Sequence, residues 1–153
     1  MTTAIITFNG IHSFLSNYSP SPLRLHGQDY PTVEHAYQAY RAQNANDREA
    51  IRSCPTANAA KRLAHTIQQR SDFDDIKLCV MEQNLRKKFA LTSLKEQLLA
   101  TGTAELVEGN YWHDNFWGAC VCKACASIEG QNHLGQLLMK VRADLGNDRH
   151  EHS

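Results

Sequence analysis

Two carboxylates stand in settings suited to chemistry. Glu34, in "VEHAYQAYRA", lies in the first turn of a helix-patterned stretch, one turn before Tyr37 and Gln38. A carboxylate there meets the unpaired amides of a helix start. In a tyrosine-lined cleft, desolvation would raise its pKa while those amides lowered it, a balance suited to a general base. Facing water, it would be an ordinary first-turn glutamate. Asp114 sits between Trp112 and Trp117 in "GNYWHDNFWG". Two indoles flanking an acid make a wall for a planar ring or a sugar. The plainer alternative is two core anchors under a loop whose amides bond to Asp114 or Asn110.

The third feature is "CVCKAC": Cys120, Cys122 and Cys125 form C-x-C-x-x-C, with His113, Cys54 or Cys79 as conceivable fourth ligands. A structural zinc site usually declares itself with a second ligand pair at fixed spacing, and the chain offers none, so the expectation is reduced thiols and no metal. Lys61, Arg62 and Arg41 are cations that could meet phosphates, the plainer alternative being isolated, solvated side chains. Motifs for nucleoside triphosphates, dinucleotides and serine hydrolysis are absent.

The elements that must position these groups follow from periodicity. "IITF" (5–8) reads as extended, and "LRLHGQDY" (23–30) alternates around Gly27 like a hairpin. Helical spacing follows in "VEHAYQAYRAQ" from Val33 with Thr32 as N-cap, and in residues 55–67, where Pro55 suits a first turn. It recurs in residues 74–90, 93–102 and 132–146. The stretch 103–131 between the last two helices is long enough to be a functional loop. These elements give a mainly α domain with a small β element. No repeat or linker divides the chain, so residues 1–147 are taken as one domain and 148–153 as a disordered tail. The 153 residues, 42% hydrophobic, suffice for one core. Sixteen basic and sixteen acidic side chains cancel, which argues against broad nucleic-acid binding. The short apolar run near Met1 is too brief for a signal peptide or a membrane span, and five cysteines fit reduced thiols, so the expectation is a cytoplasmic protein with no membrane partner.

Four blocks, "FLSNYSP" (14–20), "YPTVEHAYQAYRA" (30–42), "LLATGTAELVEGNYWHDNFWG" (98–118) and "GQNHLGQLLMKVR" (130–142), resemble the NADAR, or YbiA-like, family in order and spacing over about residues 8 to 145. The resemblance implies a mainly α fold and N-glycosidase activity. The bond cut would join ADP-ribose to guanine, in nucleic acid or nucleotide, or join ribose to the pyrimidine of a ribosylamino-pyrimidine phosphate of riboflavin biosynthesis. It places Glu34 and Asp114 on the motif acids and Lys61 on a lysine of the middle helix, as catalytic residues. Asn17, Tyr37, Arg41, Asn110, Trp112 and Trp117 fall on pocket or ligand positions. His113 stands where many members carry Gly. The chemistry would need no cofactor: a carboxylate near the anomeric carbon, a donor near the leaving base and a positioned water are enough. Lys61 attacking to give a Schiff base is a variant. A non-catalytic ADP-ribose reader would use the same pocket. The blocks do not fix the oligomeric state.

Overall fold

The computed structural model describes residues 3–151. They form six α-helices, two short pairs of strands and two 3-10 turns, the mainly α architecture expected. Two compact units emerge: Asn17–Ala90, and a second made from both flanks of the chain, ending at Ser16 and resuming at Leu91.

The continuous unit opens with the expected hairpin. β1 (Leu23–Leu25) pairs antiparallel with β2 (Gln28–Tyr30), Leu23 opposite Tyr30. His26 and Gly27 turn the chain with φ of 52° and 78°, the two left-handed positions of a tight hairpin turn. α1 (Val33–Arg41) starts where Thr32 Oγ1 accepts from the His35 N–H at 3.0 Å. The His35 side chain is buried and fixed at both ring nitrogens: Nδ1 lies 2.8 Å from Thr32 Oγ1 and Nε2 lies 3.0 Å from the Cys54 carbonyl.

α2 (Ala45–Arg52) and α3 (Ala57–Ala64) pack on α1 and on each other. Their shared core is built from Ile51 and four alanines, Ala39, Ala42, Ala60 and Ala64, whose small side chains let the helices approach closely. Pro55 stands just before the Thr56 cap of α3, not inside its first turn as the sequence suggested. α4 (Phe73–Lys88) packs against α1 and buries Phe73, Val80, Met81, Asn84, Leu85 and Lys88.

In the flanking unit, α5 (Thr92–Ala100) packs against α6 (His133–Glu151) and against the 3-10 turn Gly10–Leu15. Leu15, Leu98, Leu106, Leu134, Leu138 and Val141 are buried there. Residues 148–151 are the last turn of α6, while the rest of the expected tail lies outside the described residues. Ile5 bridges Leu106 in parallel, and β3 (Gly109–Asn110) pairs in parallel with β4 (Ala119–Cys120). The expected 103–131 loop is thus folded back on itself by these strands and by the 3-10 turn Lys123–Cys125.

Candidate functional site

Glu34 does not face water: only 7% of the residue is exposed. Its backbone N–H donates to the Asn17 carbonyl at 3.1 Å, and Gln38, one turn along α1, donates from Nε2 to Glu34 Oε1 at 2.8 Å. The 17–19 segment reaches α4 as well, through Asn17 Nδ2 to Met81 Sδ at 3.6 Å and Lys88 Nζ donating to Ser19 Oγ at 3.1 Å. Three buried amide atoms in this neighbourhood, Asn17 Oδ1, Gln38 Oε1 and Asn84 Nδ2, lack a hydrogen-bond partner. Buried polar atoms without partners are costly, so such a group commonly marks a place where a ligand or water completes the bonding. Tyr37 is also buried, its ring 5.2 Å from that of Phe73.

A cationic group lies on the same unit. Arg41 sits 5.2 Å over the Phe73 ring, and its Nη1 lies 3.2 Å from His65 Nδ1. Burial first, then the charges of Arg41 and Lys61, push the His65 pKa down, so its ring is neutral at pH 7 and Nδ1 accepts from Arg41. Lys61 is half-buried on α3 and Arg62 is exposed. Lys88 is the more unusual lysine: it has no exposed surface, and burial lowers its pKa to about 7.

In the flanking unit, the "GNYWHDNFWG" loop is organised from within. Asn110 is fully buried; Nδ2 donates to the Asp114 carbonyl at 2.8 Å, and Oδ1 accepts from the N–H groups of Trp112 and Asp114 at 3.2 and 3.1 Å. Asp114 Oδ1 accepts from the N–H groups of Phe116 at 3.1 Å and Trp117 at 2.8 Å, a turn-forming role for one of its two oxygens. The Phe116 and Trp117 carbonyls accept from His133 and Leu134 at 3.1 and 3.0 Å, so the loop caps the free amides at the start of α6. The two indoles are not equivalent. Trp117 is half-buried and packs edge-on against Phe116, centroids 4.8 Å apart, whereas Trp112 is 58% exposed.

This loop and α1 carry two of the four motif blocks, and the NADAR domain matches residues 7–146. The chain belongs to the NADAR domain family. An N-glycosidase of Nostoc punctiforme is 37% identical over 138 residues, covering 86% of this chain and 85% of that protein. N-glycosidase YbiA of Escherichia coli is 34% identical over 137 residues, 85% of this chain and 79% of the relative. A riboflavin biosynthesis protein of Vibrio vulnificus is 38% identical over 137 residues, and this chain spans only 36% of it. The solved NMR structure of E. coli YbiA superposes with a TM-score of 0.84 at 32% identity, over 100% of this chain and 91% of that one.

Within this NADAR chain, Asn17, Glu34, Tyr37, Arg41 and Lys61 lie on the continuous unit, and Asn110, Trp112, Asp114 and Trp117 on the flanking one. Sequence reasoning missed Lys88 and Asn84. In "EQNLRKKFA" nothing in residue type separates Lys88 from its neighbours Arg86 and Lys87, and only the buried positions one and two turns earlier, Leu85 and Met81, place Lys88 on the inward face. It also underrated His113, whose Nδ1 lies 3.3 Å from both Cys122 Sγ and Cys125 Sγ and 3.8 Å from Cys120 Sγ. Burial raises the Cys120 thiol, but hydrogen bonds from its neighbours, led by the Cys122 backbone, outweigh it and bring the pKa down to about 6. Cys54 and Cys79 are not part of this group. No helix among the described residues is long and apolar enough to cross a membrane.

Proposed function

We propose that this chain is an N-glycosidase that hydrolyses a ribose–base bond, with ADP-ribose on guanine as its substrate. The observation that carries the reading is the buried Glu34 carboxylate, held by Gln38 at the head of α1 among amide atoms that await partners. Breaking an N-glycosidic bond builds positive charge on the sugar, and a desolvated carboxylate both stabilises that charge and activates a water. Asn17, Gln38 and Asn84 offer the hydrogen bonds that orient ribose hydroxyls. Arg41 and Lys61, gathered at neutral His65, supply the charge a diphosphate requires. On the flanking unit, Asp114 holds its loop with Oδ1, leaving Oδ2 for a ligand, and exposed Trp112 offers a face for a base, the roles their motif implies. Asn110 is a positioning residue. The relatives named N-glycosidase support the reaction class.

The riboflavin-biosynthesis relatives in Vibrio vulnificus and Zea mays favour a second substrate, a ribosylamino-pyrimidine phosphate. Wild type and Glu34→Gln are incubated with guanine-ADP-ribosylated DNA and, separately, with that pyrimidine, and release of ADP-ribose or ribose phosphate is followed. Release from the DNA, falling roughly 10²–10⁴-fold in the variant, is the expected result. Release from the pyrimidine alone moves the substrate to the small metabolite. Binding without release from either leaves an ADP-ribose reader. Borohydride added during turnover tests the amine variant: a trapped sugar on Lys61, or on desolvated Lys88, establishes a Schiff base, and turnover without an adduct removes it.

A further inference from the structure

We propose that His113 Nδ1 and the thiolates of Cys120, Cys122 and Cys125 bind one zinc ion in a closed tetrahedral site that fastens the loop carrying Trp112 and Asp114 to β4. The four ligand atoms all lie within 4.8 Å of one another. A tetrahedral zinc with Zn–S near 2.3 Å and Zn–N near 2.0–2.1 Å sets N···S edges of about 3.6 Å and S···S edges of about 3.8 Å. The observed N···S separations, 3.3, 3.3 and 3.8 Å, bracket that edge.

Hydrogen bonding does not account for this convergence. One ring nitrogen offers either one donor or one lone pair, so it satisfies at most one of three sulfurs, each of them a weak partner. A single ion satisfies all four atoms. The backbone points the same way. His113 takes φ of 67°, a left-handed conformation that a non-glycine side chain adopts at a cost, and the ring it aims at the sulfurs is the compensation a ligand role provides.

The ligands are delivered by short-range structure. Cys120 ends β4, its N–H held by Asn115 Oδ1 at 2.9 Å, and the 3-10 turn returns Cys125 so that its N–H reaches the Cys122 carbonyl at 3.1 Å. Three sulfurs and one imidazole in a tetrahedron select zinc over harder cations. With every corner filled by protein, the ion is structural and takes no part in turnover. His113 is the residue before Asp114, so the site pins the loop from one side while Asn110 and Asp114 Oδ1 tie it from within.

The test uses full-length protein purified with reductant and excess zinc, then desalted. Metal analysis is expected to give about one zinc per chain, and cobalt substituted for zinc is expected to show the strong visible bands and thiolate charge transfer of a tetrahedral sulfur site. Cys122→Ser and His113→Gly, at half-buried and exposed positions, alter no core packing. Each should weaken zinc at least tenfold with the helical circular dichroism unchanged, since even outer-shell changes at zinc sites cost about 10–100-fold. Chelation of the wild type should speed amide exchange across residues 111–118. Fully reduced protein that binds neither zinc nor cobalt overturns the proposal, as does a disulfide among the three cysteines that forms regardless of zinc. Zinc retained at full stoichiometry when all three cysteines are serine overturns it too.

Discussion

A buried lysine without exposed surface makes the stability of this protein depend on pH in a defined direction. Lys88 has its pKa lowered to about 7 by burial, whereas an unfolded lysine titrates near 10.4. Below pH 7 both states carry the proton, and the folded one bears the full cost of a desolvated charge. Between about 7 and 10 the unfolded state keeps a proton that the folded state has lost, so stability rises with pH at a limiting slope of about 1.4 kcal/mol per unit. Lys88→Met keeps the volume and removes the titration. Urea unfolding at pH 6 and pH 10 should therefore show wild type gaining on the variant at the higher pH, and an unchanged difference would refute the assignment. His65 gives a second reading of charge. Burial, Arg41 and Lys61 hold its pKa below the ordinary value, and a bound diphosphate would offset the two cations. ADP-ribose should move the His65 titration, followed by NMR, upward; no movement at saturating ligand would place the diphosphate elsewhere.

At the scale of elements, the loop around Asp114 leaves no room for a side chain at Gly118, nor at Gly109 where it begins. A Cβ at Gly118 would run into the carbonyl oxygen and carboxylate of Glu108, and it would come within 2.9 Å of Asn110 Nδ2. The Glu108 carbonyl also accepts the Ala119 N–H at 2.9 Å, so it cannot retreat without opening the β3–β4 pairing. Gly118→Ala should cost about 1–3 kcal/mol by overpacking, lower the melting temperature and perturb Trp112 fluorescence. Wild-type stability in that variant would mean the loop is softer than its bonds indicate.

Much at this scale was legible. The Thr32 cap, the His26–Gly27 turn and five of the helices follow from capping residues and apolar spacing. α2 was not, because "ANDREAIR" has a single buried side chain, Ile51, and a one-point stripe has no period. β3 and β4 were not, because two-residue strands are defined only by the partner they meet. For the candidate site, motif resemblance singles out Glu34 and Asp114 as candidates, whereas the inward turn of Lys88 and the meeting of His113 with three sulfurs arise from tertiary placement that no spacing within the chain encodes.

For the whole molecule, the order of elements along the chain predicts unequal dependence on its first residues. The unit Asn17–Ala90 is continuous and contains its own hairpin and four helices. The flanking unit relies on the amino-terminal segment, whose Ile5 N–H donates to the Glu105 carbonyl and whose Ile5 and Ile6 carbonyls accept from Val107 and Gly109, at 2.8, 2.8 and 3.1 Å. Removing residues 1–9 deletes those three bonds, at about 1 kcal/mol each, and uncovers the strand-like stretch that leads into Asn110 and the site loop. Hydrogen exchange on the truncated protein should accelerate roughly a hundredfold at Val107 and Gly109, while the amides of α1 and α4 keep their protection. Activity should fall with them, because Asn110 sets the conformation of Asp114. An equal loss of protection through α1–α4 would show instead that the two units share one cooperative stability, and that the amino-terminal segment supports the Glu34 neighbourhood as much as the loop.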